Sequence, residues 1–131
     1  MSEMNSLKEM GLIDMDSVLE RIGGDESFFQ ELLDIYVDDF VEKYVSLENA
    51  IGQSDFNTIK EIGHSLKGSS GNLSLTSLHE TAYGIELAGR EYDIEQAKLT
   101  FAKLHEEFKK LKESLSPDKK QDVEEKLPGM K

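Results

Sequence analysis

Several residue types are missing or scarce in this chain of 131 residues, and each absence excludes a class of protein. Cysteine is absent, so neither a disulfide framework nor a thiolate metal site can form. No apolar run approaches the ~20 residues of a membrane-spanning helix. The first residues also lack the basic and apolar stretches of a signal peptide. We therefore expect one cytoplasmic domain that does not bind membranes.

Basic residues are outnumbered by acidic ones. The chain has 15 lysines and arginines against 27 aspartates and glutamates, which gives a formal net charge of −12. A nucleic-acid-binding protein needs a basic surface against the phosphate backbone, so this charge argues against a nucleic-acid partner. An acidic surface instead favours solubility and can attract the basic surface of a protein partner.

Proline is confined to Pro117 and Pro128, so the preceding sequence can form unbroken helices. No segment alternates with period two, and strands therefore have no support. In two long segments the apolar residues recur at three- and four-residue spacing, which predicts helices facing one core. The first set is Phe29, Leu32, Leu33, Tyr36, Phe40, Tyr44, Leu47 and Ile51; the second is Ile94, Ala97, Phe101, Leu104, Phe108, Leu111 and Leu115.

Local start and stop residues predict five helices. A short helix covers about residues 15–22, and a second runs from Asp25 to Gly52. Ser54 or Asp55 can cap the third helix. Thr76 or Ser77 starts the fourth, and Asp93 caps the fifth. These elements predict an all-α fold, an antiparallel up-down four-helix bundle with a short N-terminal cap helix. The bundle is expected over residues 11–115. Residues 1–10 are expected to be a flexible N-terminus, and the polar residues 116–131 a disordered tail.

One histidine lies on the solvent side of the predicted third helix. At about 100° per residue, Ile59, Ile62 and Leu66 cluster on one face, and His64 points roughly 165° away from them. Lys60 and Lys67 share the side of His64, at i−4 and i+3. The third helix thus presents an exposed imidazole beside cations, which suits a group that accepts an anion and meets a partner.

Glycine is unusually dense around this histidine. Gly63, Gly68 and Gly71 fall within nine residues, although each glycine in a helix costs roughly 1 kcal/mol relative to alanine. We expect the missing Cβ at Gly68 to leave space over the imidazole and to let a partner's loops approach the backbone. Ser69 and Ser70 are expected on the helix surface.

The run from His64 to Leu73, His-Ser-Leu-Lys-Gly-Ser-Ser-Gly-Asn-Leu, resembles the signature of histidine-containing phosphotransfer (HPt) domains of two-component phosphorelays. The family pattern is His, two residues, Lys and Gly, followed by small residues. The resemblance extends over roughly residues 11–114, including the segments Gly11–Asp14 and Gly23–Phe28. One departure is that Ser74 and Leu75 stand where the family often has a glycine and a small residue.

The resemblance implies a role for each motif residue. His64 would carry a phosphoryl group on its outer ring nitrogen, Lys67 would offset charge on the phosphoryl oxygens, and Gly68 would provide space. From spacing alone, we add Lys60 to the cationic field. A docking surface is expected around His64, made of Asn57, Lys60, Glu61, Ser65, Gly71 and Asn72, joined by Thr76 and Glu80.

The implied function is a phosphorelay carrier that accepts a phosphoryl group from a receiver-domain aspartate and passes it to another. The partners would be receiver domains of response regulators or of a hybrid sensor histidine kinase. Mg²⁺ would be held by the receiver, and no cofactor by this chain. The chain is expected to be a monomer. It is also expected to lack kinase activity, because Lys67-Gly68-Ser69 does not have the order of a phosphate-binding loop.

Two other readings remain. Glu61-x-x-His64 has the spacing of di-iron bundles, but His79 and His105 have no acidic residue three positions before them. An adaptor bundle that binds partners without phosphotransfer is the second reading. We expect His79 and His105 to be solvated.

Overall fold

The structure, a computed structural model, describes residues 3–131 as helices joined by short connections. The bounds are α1 Glu3–Glu9, α2 Met15–Ile22, α3 Glu26–Gly52, α4 Phe56–Asn72, α5 Thr76–Arg90, α6 Ile94–Glu113 and α7 Pro117–Lys126, followed by a 3-10 turn at Pro128–Met130. The all-α prediction is confirmed, since no strand occurs over these residues. In this described part, no helix is both long and apolar enough to cross a membrane.

Aspartate side chains begin four of the helices. Asp14, Asp25, Asp55 and Asp93 each accept a hydrogen bond from the backbone N–H three residues further on. Such a cap satisfies one of the free N–H groups at a helix start and is worth about 1 kcal/mol. Of the two caps considered for the helix that carries His64, Asp55 is the one observed.

Helices α3 to α6 enclose the main core. Each packs on its neighbour in the chain, and α3 also contacts α6. Phe40 of α3 and Phe108 of α6 are fully buried and stack with their ring centroids 3.8 Å apart. The two apolar stripes therefore face the same interior, as expected from their spacing.

The N-terminal segment is more ordered than predicted. Residues 3–10 were expected to be flexible, but Met4 and Leu7 of α1 are buried and α1 packs on α3. The prediction was wrong there because these two apolar residues lie three apart, on one face of a short helix. Residues 1 and 2, the rest of that prediction, lie outside the described part of the chain.

The predicted disordered tail is also wrong. Residues 117–126 form α7, and Val123, Leu127 and Met130 are buried. Lys112 of α6, only 1% exposed, fixes this segment. Its ammonium lies 2.6 Å from Glu124 Oε2 and also donates to the Met130 carbonyl. The polar composition concealed the helix, because its anchoring cation lies on a different element.

The turn between α4 and α5 is held by α2. Ser74 adopts a left-handed backbone conformation, with φ of 55°, where the HPt resemblance often has glycine. The Asp14 N–H donates to the Ser74 carbonyl at 2.9 Å, and the Ser17 and Ser74 hydroxyls are 3.1 Å apart. These bonds stabilise a conformation that a side chain otherwise disfavours.

The buried ammonium of Lys112 gives a stability prediction. Lys112→Met keeps the apolar stem but removes the charge. We therefore expect the free energy of unfolding, measured in urea, to fall by about 1–3 kcal/mol. Amide hydrogen exchange should accelerate over residues 117–130. Lys110→Met is the control, because the exposed Lys110–Glu107 pair at 3.3 Å should contribute within about 0.5 kcal/mol. Equal stability of the two variants would contradict the anchoring role.

Candidate functional site

The backbones of α4 and α5 touch at two glycines. A Cβ added to Gly63 would lie 2.4 Å from the Glu86 backbone nitrogen, and one added to Gly89 would lie 2.5 Å from that of Lys60. No side chain fits at such a distance, so both positions require glycine for this packing. The close approach brings Glu86 of α5 directly beside His64 of α4.

Glu86 is the centre of the site. Its side chain is nearly inaccessible, and the residue is 3% exposed. Oε1 lies 2.7 Å from Lys67 Nζ, while Oε2 accepts from His64 Nδ1 at 3.1 Å and from Arg90 Nη2 at 2.9 Å. The hydrogen bond from Lys67, followed by that from His64, lowers the pKa of Glu86 against the opposing effect of burial. Glu86 is therefore a buried carboxylate with donors from three side chains.

The contact with Glu86 determines the tautomer of His64. An ionised carboxylate only accepts hydrogen bonds, so Nδ1 must carry the proton and donate it. In the neutral ring, Nε2 then holds a free lone pair. The His64 side chain is 70% exposed, and a partner can reach it. This arrangement can form a bond from Nε2 to an electrophile such as phosphorus.

Lys67 is held by α5 while remaining within reach of solvent. Its side chain is 26% exposed, and Nζ lies 5.2 Å from the centroid of the Tyr83 ring. Gly68 is open, because a Cβ placed there would meet no atom within 4 Å. The glycine thus leaves open space on the surface, one turn after the histidine.

A groove of about 470 Å³ adjoins the imidazole. Lys60, Glu61, His64, Glu86 and Arg90 line it. Arg90, a cation from the neighbouring helix, therefore adds to the positive charge that we predicted Lys60 to provide near His64. Both positively charged groups lie on the N-terminal side of His64 along α4, and Lys67 lies on the other.

The remaining predicted docking residues lie on the same helix or near its end. Asn57, Glu61 and Asn72 are exposed, and Ser65 is half-buried. The exposed Thr76 and Glu80 line a separate cavity of about 290 Å³, together with Arg21 and His79. The structure therefore brings Lys60 and Glu61 to the His64 groove and places Thr76 and Glu80 at a different cavity.

Packing within the chain itself explains why residue 71 is a glycine. A Cβ there would lie 3.1 Å from Nδ1 of His79, which donates to the Lys67 carbonyl at 2.9 Å. The glycine therefore admits His79 to the backbone of the motif. Arg21 donates to the Gly71 carbonyl from α2.

Three side chains differ from their expected surroundings. Ser70 is buried, with its hydroxyl 2.8 Å from that of Tyr36, so it belongs to the core and not to the helix surface. His105 is half-buried, and its Nδ1 lies 2.8 Å from the Tyr44 hydroxyl. His79 is exposed as expected, although it is also hydrogen-bonded.

Glu86 and Arg90 were missed by the sequence analysis, although a pattern could have found them. In the sequence of α5, Leu78, Ala82, Ile85 and Gly89 recur at three- and four-residue spacing, and Glu86 stands four residues after Ala82 and three before Gly89. An acidic residue on an apolar face needs a buried cation or hydrogen-bond donor. Arg90, four residues further on, is one such donor.

A di-iron centre finds no support in the residues described. Over residues 3–131 there is no group of three or more metal-ligating side chains that could hold an ion. Glu61 is exposed and accepts a hydrogen bond from the Asn57 amide at 3.2 Å.

Comparison with protein families identifies the fold around this site. The family model for the Hpt domain matches residues 31–117. The chain belongs to the Hpt domain family. The match confirms the resemblance and includes α4 and α5, hence His64, Lys67 and Glu86. Membership associates the chain with histidine phosphotransfer in two-component phosphorelays. Comparisons with curated proteins and with solved structures gave no match.

Gly63 and Gly68 should respond oppositely to substitution by alanine. Gly63→Ala places a Cβ against the backbone of α5, so we expect a loss of about 1–3 kcal/mol in the free energy of unfolding. Gly68→Ala meets nothing and removes the entropic cost of glycine, so stability should rise by up to about 1 kcal/mol. Urea unfolding of both variants measures the difference. A Gly63→Ala variant as stable as wild type would contradict the backbone contact.

Glu86 should contribute stability that depends on pH. A carboxylate with a lowered pKa stabilises the folded state above its unfolded value near 4.5, and this contribution is lost as the pH falls through the folded value. We expect Glu86→Gln to be less stable than wild type at neutral pH. The gap between their urea midpoints should shrink below pH about 4.5. A gap that stays constant into acid would show that the charge of Glu86 contributes nothing.

Proposed function

We propose that this protein is a phosphorelay intermediate that accepts a phosphoryl group on His64 from a receiver-domain aspartate and passes it to another receiver. Its partners are receiver domains of response regulators or of a hybrid sensor histidine kinase, in the cytoplasm. The protein acts as a monomeric carrier without kinase activity or a cofactor of its own.

The observation that carries this proposal is the pairing of His64 Nδ1 with the buried carboxylate of Glu86. It assigns the ring proton to the inner nitrogen and leaves Nε2 as the nucleophile in an exposed side chain. An exposed histidine without such a partner would interconvert between tautomers. Glu86 therefore supports a reactive role over that of a solvated surface residue.

The proposed step balances without a base. The Nε2 lone pair attacks phosphorus, the bond from phosphorus to the aspartate oxygen breaks, and the carboxylate leaves with the electron pair. The imidazole becomes a cation, whose charge is shared through Nδ1–H with Glu86. Mg²⁺ held by the receiver would offset charge on the phosphoryl oxygens. Transfer onward is the same step in reverse, with a second aspartate as the nucleophile.

The cations around His64 suit the product as well as the reaction. Lys67 approaches on one side, and Lys60 and Arg90 line the groove on the other. A phosphoryl group carries two negative charges or nearly so at neutral pH, and nearby ammonium or guanidinium groups stabilise it. Lys67 is assigned this role at the phosphoryl oxygens, and Gly68 leaves room for the receiver.

We further propose that α3 to α6 run alternately up and down as one four-helix bundle. Each of their connections, at residues 53–55, 73–75 and 91–93, has three residues. Such short links favour antiparallel neighbours. The contact of α3 with α6 supports closure of the bundle.

Incubation with a receiver domain labelled at its aspartyl phosphate tests the function. We expect acid-labile, base-stable label on the wild-type chain and none on His64→Gln, since glutamine cannot accept the phosphoryl group. Addition of a second, unlabelled receiver should then remove the label. If several phosphorylated receivers leave the folded wild-type chain unlabelled, a bundle that only binds partners is the better description.

A further inference from the structure

We propose that Tyr83 is a positioning residue that holds the ammonium of Lys67 over its ring, ready to contact a phosphoryl group on His64. The inference rests on the proposed phosphotransfer function. It adds to that function a residue that neither the motif nor the family match specifies.

The geometry places Lys67 between two side chains of α5. Nζ lies 5.2 Å from the Tyr83 ring centroid and 2.7 Å from Glu86 Oε1. Tyr83 and Glu86 are three residues apart and so share one face of the helix. The lysine stem therefore extends from α4 across to α5, and its charged end is fixed at two points.

An aromatic ring can hold the ammonium of Lys67 and still leave its N–H donors free. An ammonium has three N–H donors and no acceptor. The ring face attracts the charge through its quadrupole and needs no hydrogen bond. Glu86 accepts one donor, so the others remain available to phosphoryl oxygens. A second carboxylate in place of Tyr83 would hold the cation as well, but would also repel the incoming phosphoryl group.

Packing does not account for Tyr83. The residue is 45% exposed, beside a core whose aromatic residues Phe29, Phe40 and Phe108 are fully buried. Free lysine side chains have many rotamers, and fixing one is entropically costly. The ring contact would reduce that cost before the receiver arrives. Its loss should thus slow transfer without unfolding the chain.

Single-turnover transfer from a labelled receiver tests the proposal, with the limiting rate separated from the half-saturating concentration. Tyr83→Leu keeps an apolar residue that favours helix but removes the ring. We expect its limiting rate to fall about two- to fivefold, as for loss of an exposed cation–π contact. Tyr83→Phe keeps the ring and should restore the rate. In a Lys67→Ala background, Tyr83→Leu should cause no further loss.

The single and double variants together separate a positioning role of Tyr83 from a role in docking the receiver. If Tyr83→Leu changes only the half-saturating concentration, or slows the Lys67→Ala chain by the same factor, Tyr83 contacts the partner and the proposal is overturned. If Tyr83→Phe is as slow as Tyr83→Leu, the hydroxyl acts and the ring does not, which also overturns it.

A second measurement is independent of phosphotransfer. The ring current of Tyr83 should shift the Cε proton resonances of Lys67 in the NMR spectrum, and Tyr83→Leu, but not Tyr83→Phe, should abolish the shift. If wild type shows this shift but accepts no label, the proposed function fails while the contact stands. If wild type accepts label but lacks the shift, the positioning role fails alone.

Discussion

At Gly63 and Gly89 the backbones of α4 and α5 approach so closely that no side chain fits between them, and the site depends on this contact. The approach places Glu86 under the imidazole of His64, and each donor to its carboxylate lies on one of these two helices. A side chain at either glycine would separate the helices and remove the contacts of the Glu86 carboxylate with His64 and Lys67 of α4. The glycines thus contribute to the chemistry through helix spacing, although neither contacts a phosphoryl group in the proposed reaction.

The side chains around Glu86 and His64 are mainly positively charged, whereas the chain as a whole is negatively charged. The sequence is strongly acidic, yet His64 is surrounded by Lys60, Lys67 and Arg90, and the carboxylate between them is buried. Burial of an ionised group is costly unless partners compensate it, and here three side chains do so. These cations are available because the anion that holds them is fixed inside the protein. A phosphoryl group at His64 would use the remaining N–H donors of the same cations.

The sequence was sufficient for features that depend on one helix at a time. The caps Asp25, Asp55 and Asp93, and the exposed position of His64, follow from local spacing, and the structure has them. Glu86 was missed because its contact is set by how two helices cross, which periodicity within one helix does not encode. The C-terminal prediction failed for a related reason. Three apolar residues in a polar segment are too few to predict packing, and the buried Lys112 that holds them lies on α6.

The C-terminal end of α4 is stabilised by a segment outside the family match. This helix has no basic residue in its last turn, so the negative end of its macrodipole is uncompensated by its own sequence. Arg21 of α2 supplies the missing charge at the Gly71 carbonyl. His64 is about 12 Å along the axis from that end, so the charge of Arg21 acts on the last turn of the helix. Arg21 of α2 therefore serves as a counterion for the C-terminal end of α4, a charge that lies outside the residues matched by the family model.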